Sequence, residues 1–89
     1  DVRQKANDLL SECNQALASL GKQVDKHEKR QIKADMAELQ RVLARRPSKK
    51  EKADPEAEAR NIVVAAARLD QSSAHVRELF SNQTGQTNN

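Results

Sequence analysis

Over the first twenty residues Val2, Ala6, Leu9, Cys13, Ala16 and Leu20 recur at gaps of four, three, four, three and four. That spacing lines one face of an α-helix. Leu10 and Leu17 widen the stripe. The pattern returns twice: in Ile32, Met36, Leu39 and Leu43, with Val42 beside them, and in Ile62, Ala66, Leu69, Val76 and Phe80. In the last set Ser73 interrupts the seam, while Ala65, Val63 and Leu79 lie near its edges. Phe80 is the only aromatic residue, so any interior is built from aliphatic side chains and alanine. Two glycines and two prolines supply too few turns for an all-β domain, and Ala, Leu, Lys, Arg, Gln and Glu favour helix. The chain is expected to be all-α.

Helix ends are legible too. Gly21 offers the left-handed conformation that closes a first helix over about 2–20. Asp25 and Glu28 form a D-x-x-E pattern resembling a capping box, which starts a second helix over about 26–45. Pro47 pushes Arg46 away from helical angles. Asp54 followed by Pro55 reads as an N-cap and a first helical residue, opening a third helix over about 55–80. Between them the segment RRPSKKEKAD is a solvated basic loop. The tail from Ser81, SNQTGQTNN, is polar and uncharged, and disorder is expected over 81–89. Short connections favour antiparallel neighbours, so residues 1–80 are expected to form an antiparallel three-helix bundle.

At 89 residues the chain holds one small domain that buries only about 60% of its unfolded surface, which excludes a large enzyme. Eighteen Val, Leu, Ile, Met and Phe side chains make a thin core, and modest stability follows. Sixteen basic and thirteen acidic residues leave a net charge of +3, a small surplus that does not demand a polyanionic partner. Cys13 is the sole cysteine and falls on the apolar stripe, where a thiol acts as a small hydrophobe; this points to a reducing compartment. No apolar run approaches the roughly 18 residues of a membrane span. The start at Asp1, without methionine or a signal-like segment, predicts excision from a longer protein.

No catalytic constellation is visible. His27 and His75 lie on different helices and read as solvent-facing imidazoles, and no His, Cys or carboxylate grouping has metal-ligand spacing. Arg45, Arg46, Lys49, Lys50 and Lys52 could contact phosphates, but Glu51 and Asp54 dilute the cluster and no ring accompanies it. Nucleic-acid binding is therefore the disfavoured reading of that loop. Asn82-Gln83-Thr84 fits a glycosylation sequon that is frequent by chance. Asp25 with Lys29 and Glu56 with Arg60 are spaced for i, i+4 pairs worth tenths of a kcal/mol.

The first two helices carry Val2-Arg3 leading to Asn7-Asp8-Leu9-Leu10, then Ala16-Leu17, the Asp25-x-x-Glu28 start, Ile32, Leu39 and Val42-Leu43. In these residues, and in element order and length from Val2 to Phe80, the chain resembles the C-terminal helical lid of DnaK-type chaperones, the heat shock protein 70 family. Glu28-Lys29-Arg30-Gln31-Ile32 and Ala66-Ala67-Arg68-Leu69-Asp70-Gln71-Ser72 look most like the branch devoted to iron-sulfur cluster assembly. The resemblance implies a cover without chemistry of its own, closing over an upstream β-sandwich that grips client peptides and swinging away when an upstream ATPase binds ATP. No cofactor is implied for these residues; ATP and magnesium would belong to the upstream domain. Partners would be the peptide-binding domain, client peptides indirectly, and co-chaperones, with no membrane.

In the family an acidic residue and a histidine flanking the paired leucines latch the lid, and alignment on Leu9-Leu10 puts those roles at Asn7 and Ser11. Neither matches, so Arg3 or Asp8 would substitute, or closure would rest on weaker polar contacts. The final residues Gln86-Thr87-Asn88-Asn89 lack the acidic tetrapeptide of eukaryotic cytosolic relatives, which implies a bacterial-type cytoplasmic or an organellar parent. Two other readings stand beside this one. A free-standing three-helix interaction module would expose an apolar patch drawn from Val63, Val64, Leu10 and Leu17; a nucleic-acid binder would use the basic loop. For the lid fragment, an exposed edge at Leu9, Leu10 and Leu17 would also favour self-association.

Overall fold

The computed structural model describes residues 1–46, 50 and 52–85, and the side chains of 84 and 85 are left aside. The described residues are helical, without strands, in three helices: α1 (Val2–Leu20), α2 (Lys26–Ala44) and α3 (Pro55–Gly85), with a 3-10 turn at Gly21–Gln23 after α1.

Each helix starts on an aspartate. Asp1 Oδ1 accepts from the Arg3 N–H at 2.8 Å. Asp25 Oδ2 accepts from the N–H groups of His27 and Glu28 at 3.0 and 3.1 Å, and Asp54 Oδ1 accepts from the Ala57 N–H at 3.1 Å. These carboxylates satisfy amides that have no partner within their helices. The expected capping box is only half formed. Glu28 does not turn back to Asp25 but reaches across to His75 Nδ1, 2.9 Å away on α3. Asp25 is likewise occupied by its cap, and neither the Asp25–Lys29 nor the Glu56–Arg60 pair forms among the described residues.

α1 closes where glycine allows it. Gly21 has φ 52° and ψ −119°, and its N–H donates to Leu17 O. The positive φ was expected, but this ψ lies outside the left-handed helical well, in a region that suits residues without a Cβ. A Cβ here would meet no atom within 4 Å, so backbone strain alone selects glycine. The chain then turns through Val24, whose side chain is only 6% exposed and seals the end of the core. Its isolation from any periodic run concealed it in the sequence.

The interior follows the three seams closely. Ala6, Leu10, Cys13, Ala16, Leu17 and Leu20 of α1 meet Ile32, Met36 and Leu39 of α2 and Ile62, Ala65, Leu69, Ser73 and Val76 of α3. Leu9, Val42, Leu43, Ala66 and Phe80 are only partly buried against this core. α3 packs extensively along both α1 and α2, which touch each other much less, so the longest helix is the shared wall.

Two boundaries differ from expectation. α2 ends at Ala44, with Arg45 already extended at φ −62°, ψ 134°. α3 runs past Phe80 to Gly85, so residues 81–85 are helical and not part of a disordered tail. Extending a formed helix fixes one residue per added bond, whereas nucleation fixes several, and polar residues can therefore continue a turn that they would not start. Gln83 also gains an external partner, donating from Nε2 to Gln23 Oε1 at 2.7 Å. The remainder of the expected tail, 86–89, lies outside the described residues.

Candidate functional site

Because α1 and α3 meet through alanines as well as larger side chains, their axes leave a groove at the surface. Val2, Leu9, Val63, Ala66 and Ala67 give it an apolar floor, and Asp8, Glu12, Asp70 and Arg77 line its rim. At 52% exposure, Val63 is open to solvent; Val64, at 53%, faces the neighbouring α2–α3 groove beside Val42.

A polar cluster runs from this rim inward to one buried hydroxyl. Ser73 is fully buried, and its hydroxyl donates to Leu69 O at 2.6 Å. Arg77 Nε donates to Ser73 Oγ at 2.9 Å, and Nη2 donates to Asp70 O at 3.0 Å and to the Asp70 carboxylate. Arg77 Nη1 lies 3.7 Å from Glu12 Oε2 across the groove. Cys13, 1% exposed, adjoins this cluster from the α1 side, with Ser73 and Arg77 among the groups that act on its thiol. Burial pushes the Cys13 thiol above its ordinary value and outweighs the lowering by Ser73 and Arg77. The thiol is thus held protonated and closed off, the opposite of an activated nucleophile.

This has a pH consequence. Where the folded chain keeps a thiol proton that the unfolded chain has lost, unfolding releases a proton and stability falls as pH rises. The chain should keep its stability through neutral pH and lose some once pH climbs past the ordinary thiol range. A Cys13→Ala chain should lack that added alkaline loss. Thermal melts of both at neutral and alkaline pH check it, and parallel curves would contradict it.

The residues singled out in the sequence are dispersed. Arg3 is engaged: Nη1 donates to Leu43 O at 3.0 Å and closes an open carbonyl at the end of α2. Asp8 is exposed and accepts from Gln4 Nε2 at 2.9 Å. Asn7 and Ser11 are exposed one turn apart on α1. Leu10 and Leu17 are core residues, 7% and 8% exposed, and do not offer a patch; Leu9 is half-buried at the groove. Of the basic loop, Arg45, Arg46, Lys50 and Lys52 are exposed, and Lys49 lies outside the described residues. Arg45 lines the α2–α3 groove with Arg41, whose guanidinium grips Glu38 at 2.6 and 2.9 Å. That grip holds the Glu38 carboxyl below its ordinary range.

Sequence reasoning passed over Arg77 and the Glu28–His75 bond. Arg77 had a signal, standing four residues after the seam-breaking Ser73 and seven after Asp70. Glu28 and His75 are 47 residues apart, and no local pattern joins them. Among the described residues no group of three or more His, Cys, Asp or Glu could hold a metal ion. None of the helices they form is long and apolar enough to cross a membrane. Set against protein-family models, curated proteins and solved structures, the chain matches none.

Proposed function

We propose that this chain is the helical lid of a DnaK-type chaperone, arranged as an antiparallel three-helix bundle, and that it slows the escape of peptide held by an upstream β-sandwich. Three long-range bonds support the bundle direction. Arg3 at the start of α1 meets Leu43 at the end of α2, His75 late in α3 meets Glu28 early in α2, and Gln83 meets Gln23.

The observation that carries the reading is the anchoring of the first turn of α1 into the rest of the body. Val2 packs against the core and Arg3 bonds the far end of α2, so a force applied at the start of α1 moves all three helices together. A gate needs that stiffness, because it acts on an off-rate and not on a bond. With Asn7 and Ser11 on the outer face in place of an acid and a histidine, closure would rest on neutral hydrogen bonds, each worth about 1 kcal/mol. Val63 and Val64 favour a second reading, a helical interaction module that docks a partner on its exposed apolar edge.

The parent gene distinguishes the two. The lid reading expects a β-rich peptide-binding domain and an actin-like ATPase immediately upstream of Asp1. In the full parent protein with ADP, release of a fluorescent hydrophobic peptide should speed up by about tenfold when the chain from Asp1 onward is deleted, equivalent to ~1.4 kcal/mol of retention. An unchanged release rate, or an upstream sequence lacking both domains, would overturn the lid.

A further inference from the structure

Lys26, Lys29, Arg30 and Lys33 stand at i, i+3, i+4 and i+7 on α2, one face over two turns. Together they line a shallow depression. Lys26, Arg30 and Lys33 are exposed and Lys29 is half-buried. None of the four forms an ion pair among the described residues. The nearest acids in sequence are held elsewhere, Asp25 by the amides of His27 and Glu28, and Glu28 by His75. Lys22 adds a fifth cation in the preceding turn. Residues 22–33 thus carry five cations and two carboxylates, a surplus equal to the +3 of the whole chain. Residues 45–52 carry a comparable excess, five cations and one carboxylate, whereas the four α2 cations stand together on one helix face.

We propose that this face of α2 docks an acidic polypeptide segment whose carboxylates repeat at helical spacing. A partner helix with acids at i, i+3, i+4 and i+7 would meet the four cations one to one. Three of the four are lysines, compact point charges on flexible stems, which suit carboxylates in variable geometry better than the bidentate capture of one phosphate. A lipid surface fits less well. The apolar side chains Ile32, Met36 and Leu39 are buried in the core, so they are not on offer to a bilayer interface. A nucleic acid also fits less well: seven residues of helix span about 10 Å, matching only about three phosphates along one strand. The amides that could cradle a phosphate at the start of α2 are already bonded to Asp25. The proposal does not rest on the lid reading, and its failure would leave that reading standing.

Fluorescence anisotropy on the 89-residue chain tests it, with a labelled oligo-glutamate peptide as probe. Comparators are a single-stranded oligonucleotide of equal charge and phosphatidylserine vesicles. Binding of oligo-glutamate should weaken as salt shortens the reach of the charges. It should fall by at least about tenfold in a Lys26→Glu, Arg30→Glu, Lys33→Glu chain, and hold within about twofold in Lys50→Glu, Lys52→Glu. If charge reversal costs helicity by circular dichroism, the same comparison is made with Gln at the three positions. Unchanged binding in the α2 variants, equal loss in the loop variant, or tighter capture by the oligonucleotide or the vesicles would each overturn the proposal.

Discussion

A Leu69→Ala chain should unfold at a much lower urea concentration than the parent sequence, having lost about 3 kcal/mol within the usual 2–5 kcal/mol for buried leucine truncation. Leu69 is fully buried on α3, the helix that packs against both others, so the vacated volume opens onto both interfaces. Its surroundings cannot collapse cheaply. The Leu69 carbonyl accepts from Ser72 and Ser73, and those bonds fix the backbone where the side chain was. A small domain whose total stability is about 5 kcal/mol would keep only about 2 kcal/mol, with roughly one chain in thirty unfolded at ordinary temperature. The urea slope should stay the same, since the surface exposed on unfolding is unchanged. The control is Val64→Ala on the same helix, 53% exposed, which should stay within about 0.5 kcal/mol. A loss below about 1 kcal/mol at Leu69 would mean that α3 is not the shared wall.

The second large effect concerns the residue that looks like an error in the seam. Replacing Ser73 with leucine would give α3 an uninterrupted aliphatic stripe, and a reading by pattern alone expects a gain. The structure predicts a loss of about 1–3 kcal/mol from overpacking. Ser73 is fully buried between Cys13 of α1 and the stem of Arg77, and a leucine there must displace one of them. Displacing Arg77 also loosens its bonds to Asp70 and its approach to Glu12. Ser73→Ala should cost about 1 kcal/mol: the bond to Leu69 O is within its own helix, and the Arg77 Nε left without its acceptor belongs to a partly exposed side chain. The pair, measured by urea melts, separates size from polarity. A stabilised Ser73→Leu chain would show that the site has room and that the polar cluster is incidental.

Much of this arrangement is legible in the sequence. The four-three spacing placed α1 and α2 nearly to the residue, since burial on a helix face imposes a period that a single sequence displays. Asp25 and Asp54 marked their helix starts for a local reason as well, a carboxylate reaching amides two or three residues on. What stayed hidden depends on contacts between helices. Leu10 rather than Leu9 is the more buried of the adjacent pair, because the partners approach α1 from a direction that periodicity alone does not set. Val24 belongs to no repeat, and the Glu28–His75 bond joins residues 47 apart. The continuation of α3 through 81–85 was misread because composition reports what can start a helix better than what can extend one. The same limit applies to the α2 cations: their spacing was in the sequence, but their lack of partners appears only once Asp25 and Glu28 are seen to be engaged elsewhere.

The account rests on three aliphatic seams burying one another as a single cooperative body. Native-state amide hydrogen exchange tests this most directly, since it reports the opening free energy residue by residue. Amides near Cys13 on α1, Ile32 and Leu39 on α2, and Leu69 on α3 should share one opening free energy, equal to that of global unfolding. If α2 exchanges several kcal/mol more easily than α1 and α3, the seams do not form one core, and neither a stiff lid nor a single helical module is tenable.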